Sequence, residues 1–262
     1  MSVRAIAVDY HNTLPLRAGL EQLTDTGELH MDLAHPAQAT RLFQRGEYVM
    51  GLLPVAASLV VPEAHFVGDY GIFSDGFVGS VGIFSQVPLE DIETLYLDHD
   101  SRSSVLLAQV LLKHYWGLSP KLVKAGKGYR ERIAGTTAGV IIGDPAIRAR
   151  SVFRYYYDLG EAWKRMTDLP FVFASWLSAI PLDAAFIERF DAAQAAGLDM
   201  RESLAREFQP LVPNYNLEKY FTRQIRYHLT DEALRGRELF LELGEPIFYG
   251  QQRMGRQLTA VG

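Results

Sequence analysis

Short, almost unbroken apolar runs alternate with stretches of helical periodicity along the first two thirds of the chain. Strands are predicted at 3–8, 28–33, 48–52, 79–84, 95–97, 121–124, 139–142 and 171–176. Most of these runs hold too few polar positions to leave one face in water, so they suit a sheet covered on both faces. Helical patterns lie between them. His35-Pro36 opens one with Pro at its first position, running to about Arg45. Asp98-His99-Asp100-Ser101 precedes a strongly apolar helix that stops near Trp116-Gly117. After Pro181 the pattern is nearly all helical, with segments at 183–196, 200–208, 217–229 and 231–243. The fold class is therefore α/β, with a helical C-terminal segment.

Two Pro-marked points interrupt the alternation, Ser85-Gln86-Val87-Pro88 and 177–181. The roughly ninety residues between them carry their own strand and helix pattern. The expected organisation is a discontinuous first lobe, 1–86 with 178–262, and an inserted second lobe, 87–177. An inserted lobe gives two chain crossings and a cleft, and such clefts are favoured ligand sites.

Composition narrows the chemistry. The 262 residues are 48% hydrophobic and 22% charged, enough to bury a large core without staples. With no Cys, disulfides, thiolate metal sites and thiol nucleophiles are excluded. The net charge is −5 and the 26 Lys and Arg are spread along the chain, which argues against nucleic acid as a partner. The densest basic region, 148–154, reads as a solvated edge. The N-terminus runs straight into a strand pattern without the features of a signal peptide, and no apolar run reaches the ~18–20 residues of a membrane span. The expectation is a cytoplasmic protein with no membrane partner. The oligomeric state is open.

Familiar catalytic signatures are missing. No G-x-x-x-x-G-K-[ST] loop occurs, and Gly126-Lys127-Gly128 lacks the third Gly of a dinucleotide fingerprint. Ser80, in Val78-Gly79-Ser80-Val81-Gly82, is not in a G-x-S-x-G elbow. The seven His form no H-x-x-x-H pair, which argues against zinc. Binding, or chemistry needing neither metal nor cofactor, is what remains.

Five segments carry polar groups at places where an α/β cleft would lie. Tyr10-His11-Asn12-Thr13-Leu14-Pro15 follows the first strand, and ligands sit at the carboxyl ends of strands. Asn12 and Thr13 either grip a hydroxyl or carboxylate or bond their own backbone. Ser74-Asp75-Gly76-Phe77-Val78-Gly79-Ser80 is a Gly-rich turn that either admits a ligand closely at Gly79 and Ser80 or is a plain hairpin. Ser101-Arg102-Ser103-Ser104 opens the apolar helix, where free N–H groups and hydroxyls suit a carboxylate, unless a Ser simply caps the helix. In Ile142-Gly143-Asp144, Asp144 either orients a donor or caps a helix. The run 169–176 reads as a returning core strand with one face on the cleft.

Taken in order, these segments resemble the chorismate dehydratases, the first enzymes of futalosine-type menaquinone biosynthesis. The likeness spans nearly the whole chain. It includes Asn12-Thr13-Leu14-Pro15-Leu16, Gly51-Leu52-Leu53-Pro54-Val55, Ser74-Asp75-Gly76, Gly79-Ser80-Val81 and Phe84-Ser85-Gln86-Val87-Pro88-Leu89. It continues through Ser101-Arg102-Ser103-Ser104-Val105, Ile142-Gly143-Asp144, Asp158-Leu159-Gly160, Trp163 and Pro170-Phe171-Val172-Phe173-Ala174. The resemblance implies a two-lobed, type II periplasmic-binding-protein-like fold. It implies dehydration of chorismate to 3-[(1-carboxyvinyl)oxy]benzoate, with no metal or cofactor. Asn12 and Ser80 take the catalytic positions. Thr13, Gly79, Arg102, Ser103, Ser104, Gly143 and Asp144 take the substrate-binding ones.

Asp9 stands where the family usually has Ser, and His11 where it usually has Leu. Alternation along an extended strand turns His11 away from the Asn12 face, to pair with Asp9 or a backbone carbonyl. Facing the cleft, His11 would instead be a base. Two other readings stay open: the related 1,4-dihydroxy-6-naphthoate synthase, and a cytoplasmic binding protein for a small carboxylate.

Overall fold

The computed structural model describes residues 2–98, 101–213 and 215–259. Along the chain the strands are β1 (Val3–Val8), β2 (Leu29–Ala34), β3 (Met50–Pro54), β4 (His65–Ser74), β5 (Val81–Ser85) and β6 (Thr94–Asp98). β7 (Lys121–Ala125), β8 (Thr137–Ile142), β9 (Tyr155–Asp158), β10 (Phe171–Ser178) and β11 (Arg226–His228) follow. The helices are α1 (Leu14–Asp25), α2 (Pro36–Gln44), α3 (Ser103–Leu111), α4 (Gly143–Ala149) and α5 (Leu159–Thr167). Then come α6 (Ala184–Asp199), α7 (Arg201–Phe208), α8 (Leu217–Lys219) and α9 (Asp231–Thr259).

Among the described residues the strands form two sheets, ordered β11-β4-β10-β3-β1-β2 and β7-β6-β8-β5-β9. Each predicted strand begins and ends within two residues of an observed one. Their burial explains it: β3, β5 and β10 are buried at every position, the pattern of a covered sheet. The strands that escaped prediction are less apolar. β9 is three tyrosines and an Asp at a sheet edge, β11 is three residues at the other sheet's edge, and β4 is interrupted by Gly68 and Gly71.

Two expectations are corrected. The helix predicted at 217–229 stops early: α8 widens into a π-helical turn, Tyr220–Gln224, and the chain then extends as β11. Buried Tyr227 between exposed Arg226 and His228 has the period of a strand, which three residues are too few to announce. The helix predicted to end at 243 runs through Pro246, because α9 lies along both α3 and β10, with Gly244 against Leu106. The lead-in His99-Asp100 lies outside the described residues.

The strands change sheet earlier than the Pro-marked points. β5 pairs with β8 and β9, and β10 pairs with β3 and β4. The chain therefore passes from the first sheet to the second within 75–80, and returns after α5. The Pro residues mark the far ends of β5 and β10 instead. The architecture is α/β with two lobes, each built on one sheet.

Candidate active site

A cavity lies between the lobes, the kind of place where small-molecule sites are favoured. The first sheet supplies Val8, Ile72, Phe173 and Ala174 to its wall, and the turn after β1 adds Tyr10 and Asn12. From the second lobe come Ser80, Ser101, Ser103, Ser104 and Gly143. The wall combines apolar side chains such as Val8, Ile72, Val81 and Ile142 with Asn12 and the serines at 80, 101, 103 and 104.

Asn12 lies in a short 3-10 turn, His11–Thr13, that continues into α1. Its side-chain oxygen is buried and meets no donor among the described residues. Buried polar atoms almost always have partners, so this amide is free for something that enters the cavity. Thr13 is different. Its fully buried hydroxyl donates to Val8 O at 3.1 Å and Tyr10 O at 2.8 Å, so it shapes the turn and does not face the cavity.

Ser80 is 1% exposed. Its Oγ accepts from the Tyr220 hydroxyl at 2.7 Å, and its carbonyl accepts from the Gly143 N–H at 2.7 Å. Burial holds the Tyr220 phenol well above its ordinary pKa, so it stays protonated. The loop leading to Ser80 is held by Asp158. That carboxylate accepts from the N–H groups of Val78 (3.1 Å) and Gly79 (2.7 Å), from Glu161 N–H (2.9 Å) and from the Tyr156 hydroxyl (2.6 Å). Burial pushes the Asp158 carboxyl up, against the pull of those four donors. Gly79 serves as backbone, near the Tyr215 hydroxyl, and offers no side chain to the cavity.

The start of α3 has no side-chain cap, and its first residue outside the helix, Arg102, has helical backbone angles. Among the described residues no side chain bonds the N–H groups of its first turn, which lies beside the cavity-lining Ser101, Ser103 and Ser104. Ser103 Oγ accepts from the Ala56 N–H at 2.9 Å. Ser80 and Ser103 therefore share one property: each oxygen already receives a protein donor, and each proton remains to be given. Arg102 is half-buried and does not line the cavity; burial lowers its pKa and Arg41 of α2 adds repulsion.

Gly143 has φ +62, and a Cβ there would lie 2.7 Å from the Tyr10 ring. A side chain at 143 would be strained and would push the lobes apart. Asp144 neither caps α4 nor lines the cavity. Its carboxylate lies 2.7 Å from His11 Nδ1, across the lobes. His11 thus pairs neither with Asp9 nor with a backbone carbonyl. Asp9 is taken by Arg17 at 3.2 Å. Tyr10 and Phe173 line the cavity from two segments that the sequence places on the cleft, Pro54 comes from a run quoted for its likeness alone, and Tyr220 was not singled out. Tyr10 and Asn12 both line the cavity although 11–13 is a 3-10 turn and not the extended strand the sequence suggested, and nothing in the pattern points to Tyr220. Among the described residues no three His, Asp or Glu gather as a metal cluster, and no helix is long and apolar enough to cross a membrane.

A model of the menaquinone biosynthesis family matches residues 4–246. A protein named chorismate dehydratase, from Thermus thermophilus, is 29% identical over 92% of this chain and 96% of its own. Among solved structures, protein AF1704 of Archaeoglobus fulgidus aligns with a TM-score of 0.74 at 11% identity, covering 95% of this chain and 98% of the other. The periplasmic aliphatic sulphonate binding protein SsuA of Escherichia coli aligns with a TM-score of 0.64 at 13% identity, covering 96% and 92%. At such identities the likeness concerns the fold alone, which is that of periplasmic binding proteins.

Proposed function

The chain belongs to the menaquinone biosynthesis family, and from that premise we propose that it dehydrates chorismate to 3-[(1-carboxyvinyl)oxy]benzoate. The observation that carries the reading is the set of groups around the cavity. One amide and several hydroxyls converge, and at Ser80 and Ser103 the oxygen is already engaged by a protein donor. Such a lining suits a substrate rich in carboxylate and hydroxyl oxygens.

The reaction breaks the C–H bond at the ring carbon that bears the enolpyruvyl ether and the C–O bond of the neighbouring hydroxyl. The C–H electrons enter the ring, the hydroxyl leaves as water, and the ring becomes aromatic. The proton is acidic because its carbon is conjugated through a double bond to the ring carboxylate. Donors fixed around that carboxylate stabilise the charge that develops on it. In this reading Ser103, Ser104 and the N–H groups of α3 take that part. Ser80 donates to the departing hydroxyl and Asn12 accepts from it. The proton acceptor is the substrate's own enolpyruvyl carboxylate, held close by the lobes, and it returns that proton to the departing hydroxide so that water leaves and the carboxylate is restored. A chorismate complex of an inactive variant with that carboxylate far from the proton would count against this step.

The lobe division that goes with this reading runs through 75–80 and through the segment after α5. The reaction is assigned to the cytoplasm and to the futalosine route of menaquinone formation. Incubation of the purified protein with chorismate tests the proposal: an aromatic product is expected, and tight binding without turnover would overturn it.

A further inference from the structure

Ser80 is fixed by more than its main chain. The Tyr220 ring is enclosed at 1% exposure, and its hydroxyl donates to Ser80 Oγ at 2.7 Å. Tyr220 opens the π-helical turn Tyr220–Gln224, and such widened turns recur at functional sites. The rings of Tyr215 and Phe221, with centroids at 5.5 and 5.8 Å, hold its own ring in place. A serine hydroxyl has one proton and two lone pairs. With a neutral phenol occupying one lone pair, the Ser80 proton has to point away from Tyr220. At Ser103 the Ala56 main chain plays the same part, so Tyr220 is the place where this device depends on a side chain.

We propose that Tyr220 is a positioning residue that holds the Ser80 hydroxyl as a proton donor toward the cavity. The proposal rests on the reading of Ser80 as the donor to the departing hydroxyl. A tyrosine that merely satisfied its own hydroxyl on Ser80 would support the fold and leave turnover alone.

Y220F removes one oxygen and keeps the ring. Its kcat on chorismate should fall roughly 10-fold to 100-fold, with KM changed less than about threefold. Introduced beside S80A, it should lower kcat no further. An unchanged kcat in Y220F, or an equal loss with and without the Ser80 hydroxyl, would overturn the proposal. Should wild-type protein release no aromatic product, the dehydration reading falls by itself. The crystal structure of Y220F then decides: Ser80 Oγ turned to another rotamer supports the positioning role, and Oγ unmoved overturns it. If Y220F does not fold, 3-fluorotyrosine at position 220 keeps the shape and strengthens the donor. A kcat shifted by more than about twofold supports the role, and a kcat equal to wild type overturns it.

Discussion

At the scale of single residues, the difference between Asn12 and its neighbour Thr13 decides what each can do. Both are small polar side chains in one turn, yet only the amide is left without a protein partner. Asn12→Ala should therefore lower kcat by about 10²- to 10³-fold while the melting temperature stays near that of wild type, read by steady-state kinetics and calorimetry. Ser103→Ala should act on binding: the loss of one hydrogen bond to a charged group corresponds to a KM or Kd roughly 10-fold higher. The types and positions of Asn12, Ser80, Ser103 and Ser104 were legible in the sequence because they follow the first strand, close a Gly-rich turn and open an apolar helix. Which way a hydroxyl points was not legible. Thr13 spends its proton on the chain five residues back, and Asp144 turns to His11 from a separate lobe. Tyr220 left no trace, since its partner is 140 residues away in the chain.

At the scale of elements, burial governed what could be predicted. β3, β5 and β10 are covered on both faces, and their apolar runs announced them, whereas edge strands β9 and β11 mixed charge and aromatics and did not. The serines at the α3 start were legible too, but their use was not. A Ser before a helix usually caps it, and here none does. The turn from β8 into α4 is tightly constrained. Gly143→Ala there places a Cβ against the Tyr10 ring on a backbone of positive φ. A cost of about 1–3 kcal/mol is expected, seen as a lower melting temperature, together with a raised KM because the lobes are held apart.

At the scale of the whole molecule, the cavity exists only while both lobes face each other. A ligand that bridges them should stabilise the fold strongly. At about 100 times its Kd, the product adds ~2.7 kcal/mol, a melting shift of roughly 5–10 °C for a chain of this size in differential scanning fluorimetry. The His11–Asp144 pair spans the same gap at 2.7 Å. Asp144→Ala should raise KM about fivefold, a loss of ~1 kcal/mol, and leave kcat within about twofold of wild type. A kcat that falls with KM unchanged would put His11 in the chemistry instead.

The two chain crossings are tied to one another as well as to their lobes. Lys164 Nζ reaches Asp75 at 3.0 Å on the outgoing segment, and Asp168 at 3.1 Å on the returning one. Asp158 binds the outgoing loop through Val78 and Gly79 from the start of α5. Two strands fastened side by side behave as a single pin. Such a pin links the lobes, and α9, packed on both α3 and β10, links them again. The groups that meet across the cleft, Ser103 with Ala56 and His11 with Asp144, are therefore held in register by covalent crossings and by helix packing together.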